Sequence, residues 1–127
     1  MVKLMFKRVR AVAIYVTDLK RAKKFYNEIL SFELSAELGA NLCFLKSKSG
    51  DINIYMEGGK KQTSIDNETC RLSFFLQAER TASETYASLR KAGVKLLQEA
   101  PELVGDETPC FQFEDPDGNI IEVSGKP

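Results

Sequence analysis

Hydrophobic positions along this chain alternate with polar ones, then recur every three to four residues, and the whole sequence of patterns runs twice. Over 9–16 the stretch VRAVAIYV is rich in β-branched residues and reads as a strand. Its rows differ: Val12, Ile14 and Val16 on one face, Ala11, Ala13 and Tyr15 on the other. Thr17 or Asp18 can cap a following helix, in which Leu19, Ala22, Phe25, Tyr26, Ile29 and Leu30 form an apolar stripe. That spacing assigns Phe25 and Tyr26 to the core. Short strands are expected over 32–38, 41–46 and 52–57, separated by Gly39-Ala40 and by a break over 47–50. The polar, unpatterned stretch GGKKQTSIDNE, 58–68, reads as a linker.

The pattern then restarts. RLSFFL, 71–76, alternates like the first strand, and Ala82, Tyr86, Leu89 and Ala92 mark a second amphipathic helix, ended near Gly93. Strands are expected over 94–98, 108–114 and 119–124. The last two meet at Asp115-Pro116-Asp117-Gly118, where proline presets φ, glycine accepts a positive φ and the aspartates can bond nearby amides. Laying Ala11 over Arg71 also lays Tyr26 over Tyr86, and laying Cys43-Phe44 over Cys110-Phe111 lays Ile54-Tyr55-Met56 over Ile121-Glu122-Val123. The expected fold is therefore α+β. It consists of two βαβββ modules in a single domain, 1–127, with module one about 9–57, the linker 58–68 and module two about 69–124. Each sheet bends over its helix, and the opposite faces would form a concave half-barrel groove. Asn53, Tyr55, Glu57 and Glu122 on the last strands, with Tyr15, Arg71 and Phe75 on the first, belong to those faces. Letters alone leave open whether Tyr55 or Ile54 points into the groove.

Composition narrows the function classes. Lys+Arg 18 against Asp+Glu 18 gives no electrostatic footprint for nucleic acid. The start MVKLMFKRVR lacks the apolar run of a signal peptide, and no later run spans a bilayer, so a cytoplasmic protein without membrane partners is expected. Cys43, Cys70 and Cys110 are odd in number and widely spaced, and read as free thiols, and Cys70, although next to Arg71, alternates onto the helix-facing row and does not read as a nucleophile. The chain contains no histidine, which removes histidine bases, histidine triads and imidazole metal sites together. A calcium loop of the EF-hand type does not fit DPDGNIIE, because its glycine and glutamate come too early.

The paired βαβββ pattern, the stretch AVAIYVTDLKRAKKFYNEIL and the terminal DPDGNIIEV together resemble the vicinal oxygen chelate superfamily. It includes glyoxalase I, fosfomycin-resistance enzymes, extradiol dioxygenases and bleomycin-resistance proteins. The resemblance covers nearly the whole chain. In the family's metalloenzymes, histidines and glutamates on the first and last strand of each module converge on a divalent ion. The resemblance puts Ala11, Arg71, Tyr55 and Glu122 at those places, so this chain resembles a member lacking the metal-ligand histidines. One carboxylate does not make a zinc, nickel or iron site, and no metal or other cofactor is expected.

What the resemblance implies is metal-independent binding of a small organic molecule by a homodimer, as in bleomycin-resistance-like members. Ligand-binding residues would be Arg71, Glu122, Tyr55, Tyr15, Phe75, Asn53 and Glu57. Arg71 would present its fork to an anionic or carbonyl group, Glu122 would orient it, and the aromatic residues would supply walls. An ion pair that only neutralises Arg71 and Glu122 is the plainer reading, although desolvation makes such a pair a weak stabiliser. The alternative is a glyoxalase-type lyase, isomerase or epimerase with Glu122 as base, Tyr55 as acid and Arg71 as the electrophile that stabilises an enolate.

Overall fold

Alternation over 9–16 becomes the strand Ala11–Tyr15 (β1), and the stretch after it becomes the helix Leu19–Lys24 (α1), in a computed structural model that describes residues 4–48, 50, 52–60, 74–105 and 107–127. The chain divides into two compact units, Met1–Gln62 and Thr63–Pro127. In the first, Asp18 caps α1, its carboxylate accepting from the Arg21 amide at 3.2 Å. The helix continues as a π-helical turn, Phe25–Ile29, closed by the Leu30 amide donating to the Phe25 carbonyl at 3.2 Å. Both Phe25 and Tyr26 are buried, as their spacing predicts. Strands Glu33–Glu37 (β2), Leu42–Lys46 (β3) and Asn53–Glu57 (β4) complete a sheet of order β1-β4-β3-β2, in which β1 runs parallel to β4.

Ile14, Val16, Cys43, Leu45, Ile54 and Met56 form the buried face of this sheet. The helix lies on that side. Lys23 of α1 donates to Glu37, the cross-strand partner of Cys43. A Cβ on Gly58, just past β4, would stand 2.6 Å from the Leu19 Cβ at the start of α1. Gly58, Gly59 and Lys60 are not linker residues, as their composition predicts, but are bound to this unit. Their amides donate to the carbonyls of Asn41, Thr17 and Val16 respectively, at 2.8, 3.1 and 3.0 Å. Residues 61–68 of the expected linker lie outside the described residues.

The second unit follows the same plan, with strands Phe74–Thr81 (β5), Lys95–Leu96 (β6), Glu102–Val104 (β7), Thr108–Glu114 (β8) and Ile120–Lys126 (β9), and helix Ala82–Lys91 (α2). The sheet order is β5-β9-β8-β6, with β7 pairing β8. Thr81 caps α2 through the Glu84 amide at 3.1 Å, and Gly93 ends the helix at φ 82°. Phe111, Phe113, Ile121 and Val123 are buried on the side of α2, where the Tyr86 ring meets Phe111 edge-on at 5.4 Å. Gly125 repeats the role of Gly58: a Cβ there would stand 2.6 Å from the Ala82 amide nitrogen, at the first residue of α2.

Two elements differ from expectation. The strand expected over 94–98 shortens to Lys95–Leu96 because the Gln98 side chain takes over the ladder, its Oε1 accepting from the Gln112 amide at 2.7 Å. The strand β7 carries no buried alternation, with Leu103 and Val104 both exposed, and so leaves no hydrophobic signature in the sequence.

The repeat alignment also needs two corrections. Tyr55 pairs with Phe44 and Ala13, while Glu122 pairs with Gln112 and Phe75. The counterpart of Phe44 is therefore Gln112, not Phe111. The turn over 47–52 is one residue longer than that over 115–119, which shifts the strand before it. Likewise Ala13, not Ala11, matches a described residue of β5 at Phe75, because β5 has an irregular stretch between Gln77 and Thr81. The caps Asp18 and Thr81 lie 63 residues apart (81 minus 18) and the matched pair Ala13 and Phe75 lie 62 apart (75 minus 13), so an offset of 60 follows neither the helix starts nor the sheets.

Candidate ligand-binding faces

The face of the first sheet turned away from α1 is organised by Tyr55 at its centre. Ile54 and Met56 are buried on the helix side, so Tyr55, not Ile54, points to the open side. Its ring meets that of Phe44 on β3 edge-on at 5.3 Å. On the other flank stands Ala13, and beyond it along β1 is Ala11, whose partner is Asn53. These alanines contribute no side chain past Cβ, leaving that flank of the Tyr55 ring free of bulk from β1. Sequence reasoning missed Phe44, because the repeat alignment matched it to the helix-side Phe111.

One end of this face carries charge. Tyr15 pairs with Glu57, and the Tyr55 hydroxyl donates to Glu57 Oε2 at 3.4 Å. The Lys60 ammonium pairs with Glu57 Oε1 at 3.4 Å and lies 5.9 Å from the centre of the Tyr15 ring. Burial, and then the Glu57 carboxylate with a contribution from Tyr15, pushes the Tyr55 phenol above the ordinary tyrosine value. Tyr55 is thus a neutral donor at physiological pH. Of the expected site residues, Tyr15, Asn53, Tyr55 and Glu57 come together here.

The open face of the second sheet is more polar. Glu122 lies between Phe75 on β5 and Gln112 on β8, next to the pair Ser124 and Cys110. Gln112 is held by Gln98, whose Nε2 donates to Gln112 Oε1 at 3.2 Å. The Cys110 thiol is buried, and burial, followed by the Glu122 carboxylate, pushes it up. That marks an inert thiol. Phe75 is 63% exposed. Arg71 and Cys70 lie outside the described residues, so the expected pairing of Arg71 with Glu122 does too. A depression of about 570 Å³ lined by Tyr86, Arg90, Val94, Leu96, Gln98 and Glu99 lies on the other side of this sheet, beside α2.

The metal that members of such a fold can carry does not fit these donors. There is no histidine in the sequence, and among the described residues no group of three His, Cys, Asp or Glu side chains converges. At the places where the family's metalloenzymes carry ligands, Tyr55 has Ala13 and Phe44 as its cross-strand neighbours and Glu122 has Phe75 and Gln112. Among the described residues no helix is long and apolar enough to cross a membrane.

Comparison with known proteins agrees with the topology. The YetH protein of Bacillus subtilis is 28% identical over 120 residues, which cover 92% of this chain and 97% of that protein. The solved structure of TnmS3, an antibiotic-binding protein from a Streptomyces species, superposes with a TM-score of 0.76 at 22% identity, covering 98% of this chain and 100% of that one. A fosfomycin resistance protein of Listeria monocytogenes, solved with manganese(II) and a dihydroxypropylphosphonic acid, superposes with a TM-score of 0.72 at 20% identity, covering 97% and 93%. At such identities these structures establish a shared fold. The family model matches residues 8–123, and the chain belongs to the Glyoxalase/Bleomycin resistance protein/Dioxygenase superfamily.

Proposed function

We propose that this protein binds a small organic molecule without the help of a metal ion, using the open faces of its sheets. The observation that carries this reading is the first of those faces. Tyr55 is set between the ring of Phe44 and the bare flank of Ala13, with a hydroxyl and a carboxylate at its edge. An apolar surface with few, fixed polar groups is what recognises a small organic molecule. Asn53, Glu57 and Tyr15 serve on the first face, Phe75 and Glu122 on the second, and Arg71 contributes its guanidinium to an anionic or carbonyl group. The shared fold of an antibiotic-binding protein supports the binding role, and the donor set favours a metal-free version of it. The working form we propose is a cytoplasmic homodimer.

The test is a thermal-shift screen of the purified protein against aromatic antibiotics, small carboxylates and phosphates, and divalent metals, with Tyr55→Ala and Arg71→Ala beside the wild type. A ligand at a hundred times its Kd adds about 2.7 kcal/mol, which raises the midpoint by several degrees in a domain of this size. An organic hit that is weakened in Tyr55→Ala supports the reading. Stabilisation by divalent metals alone overturns it.

A further inference from the structure

At the charged end of the first open face, a cation already sits in place. The Lys60 ammonium is paired with Glu57 at 3.4 Å and lies 5.9 Å from the centre of the Tyr15 ring. Tyr55 completes the corner by donating its hydroxyl to the second oxygen of the same carboxylate, at 3.4 Å. A carboxylate flanked by two tyrosines is the arrangement that binds an organic ammonium, through charge at one side and the negative faces of rings at the other. Lys60 follows two glycines whose amides are tied to Thr17 and Asn41, and its own amide is tied to Val16. Its backbone is therefore anchored, while its side chain remains about half exposed and is held only by an ion pair of the kind that exchanges readily in water.

We infer that the corner formed by Glu57, Tyr15 and Tyr55 is a subsite for the cationic group of an organic ammonium ligand, with Lys60 as its built-in, displaceable occupant. The inference rests on the binding role proposed above and names the class of its ligand. It also assigns a direction to each side chain. Glu57 and the tyrosines favour the ligand, whereas Lys60 competes with it and sets a threshold on affinity. A neutral molecule of the same shape gains the ring contacts but cannot replace the ammonium on Glu57. An anion is repelled by the carboxylate.

Calorimetric titration with benzyltrimethylammonium, benzyl alcohol and benzoate distinguishes these cases. The wild type should prefer the ammonium to the alcohol and to benzoate. In Lys60→Met the ammonium should bind roughly five- to tenfold more tightly, the combined worth of an exposed ion pair and an exposed cation–ring contact. Lys60→Arg, which keeps a cation in place, should stay near the wild type. In Glu57→Gln the preference for ammonium over alcohol should vanish. All these side chains are at least partly exposed, so the variants should fold, and their melting curves will show it. Unchanged or weaker ammonium binding in Lys60→Met overturns the inference, as does equal binding of the ammonium and the alcohol in the wild type. If the alcohol binds as well as the ammonium, the binding role survives and only the ligand class is wrong. If none of these probes binds and the wider screen also finds no organic ligand, both fail together.

Discussion

The two units share a plan on one side of their sheets and diverge on the other. On the helix side the correspondence is close: Ile54 and Met56 answer to Ile121 and Val123, a side-chain cap opens each helix, and Gly58 and Gly125 admit the helix starts. On the open side, Ala13, Tyr55 and Phe44 stand where Phe75, Glu122 and Gln112 stand in the second unit. Positions that pack toward the helices are alike in the two units, and positions on the opposite faces differ. The difference separates residues that make the fold from residues available for function. The first unit offers rings beside small side chains, the second a carboxylate among amides.

That division can be broken at its largest predicted effect in the turns. Asp115 is 5% exposed, and its carboxylate accepts from the amides of Asp117 and Asn119 and from the Asn119 side chain, at 2.9, 2.8 and 2.9 Å. Asp115→Ala should cost about 3 kcal/mol, because it leaves backbone donors unmet in a closed turn. At the matching position of the first unit, the Ser47 backbone carbonyl accepts from the Gly50 amide at 3.0 Å. Chemical denaturation measures the loss in Asp115→Ala, and a loss under about 1 kcal/mol would mean that the last turn does not rest on the Asp115 carboxylate.

Next come the glycines. A Cβ on Gly125 meets the Ala82 amide nitrogen at 2.6 Å, and one on Gly58 meets the Leu19 Cβ at 2.6 Å and the Leu19 amide nitrogen at 3.1 Å, atoms that no side-chain rotation can move away. Gly125→Ala and Gly58→Ala should therefore each cost roughly 1–3 kcal/mol, as overpacking does. If only one of them were destabilising in chemical denaturation, the units would not share the close approach in the way described. The caps should matter equally, with Asp18→Ala and Thr81→Ala each losing about 1 kcal/mol.

Much of the fold was legible because the buried rows are periodic. Val12, Ile14 and Val16 announce β1, Ala82, Tyr86 and Leu89 announce α2, and DPDG announces the last turn. What periodicity cannot show is a strand without a buried row, such as Glu102–Val104, or one whose ladder is finished by the side chain of Gln98. The open faces were legible only in part. Alternation put Tyr15, Tyr55 and Glu57 on the correct side, but register depends on turn length, and a one-residue difference between the turns hid Phe44. Lys60 was hidden by its company, since a lysine after two glycines carries no signal that it belongs to a sheet edge.

The smallest effect tests the polar edge of the first face most directly. Tyr55 is held above the ordinary tyrosine value of about 10, first by burial and then by Glu57. Folding therefore favours its protonated form. The associated stability is present below the unfolded tyrosine value and is lost as pH rises through the raised folded one. Tyr55→Phe should leave stability at neutral pH close to that of the wild type, as a small change at a partly exposed side chain does. Above the ordinary tyrosine range the variant should lose less stability than the wild type. In an alkaline titration followed by phenolate absorbance, a late step should disappear in Tyr55→Phe. In Glu57→Gln that step should move down without reaching the ordinary value, because burial remains when the carboxylate is gone. A complete return in Glu57→Gln would mean that the ring is open to water and that charge alone sets its ionisation. The second unit, with Glu122 at the matching place, offers no phenol there, so the loss of the step in Tyr55→Phe is what assigns it to the first face.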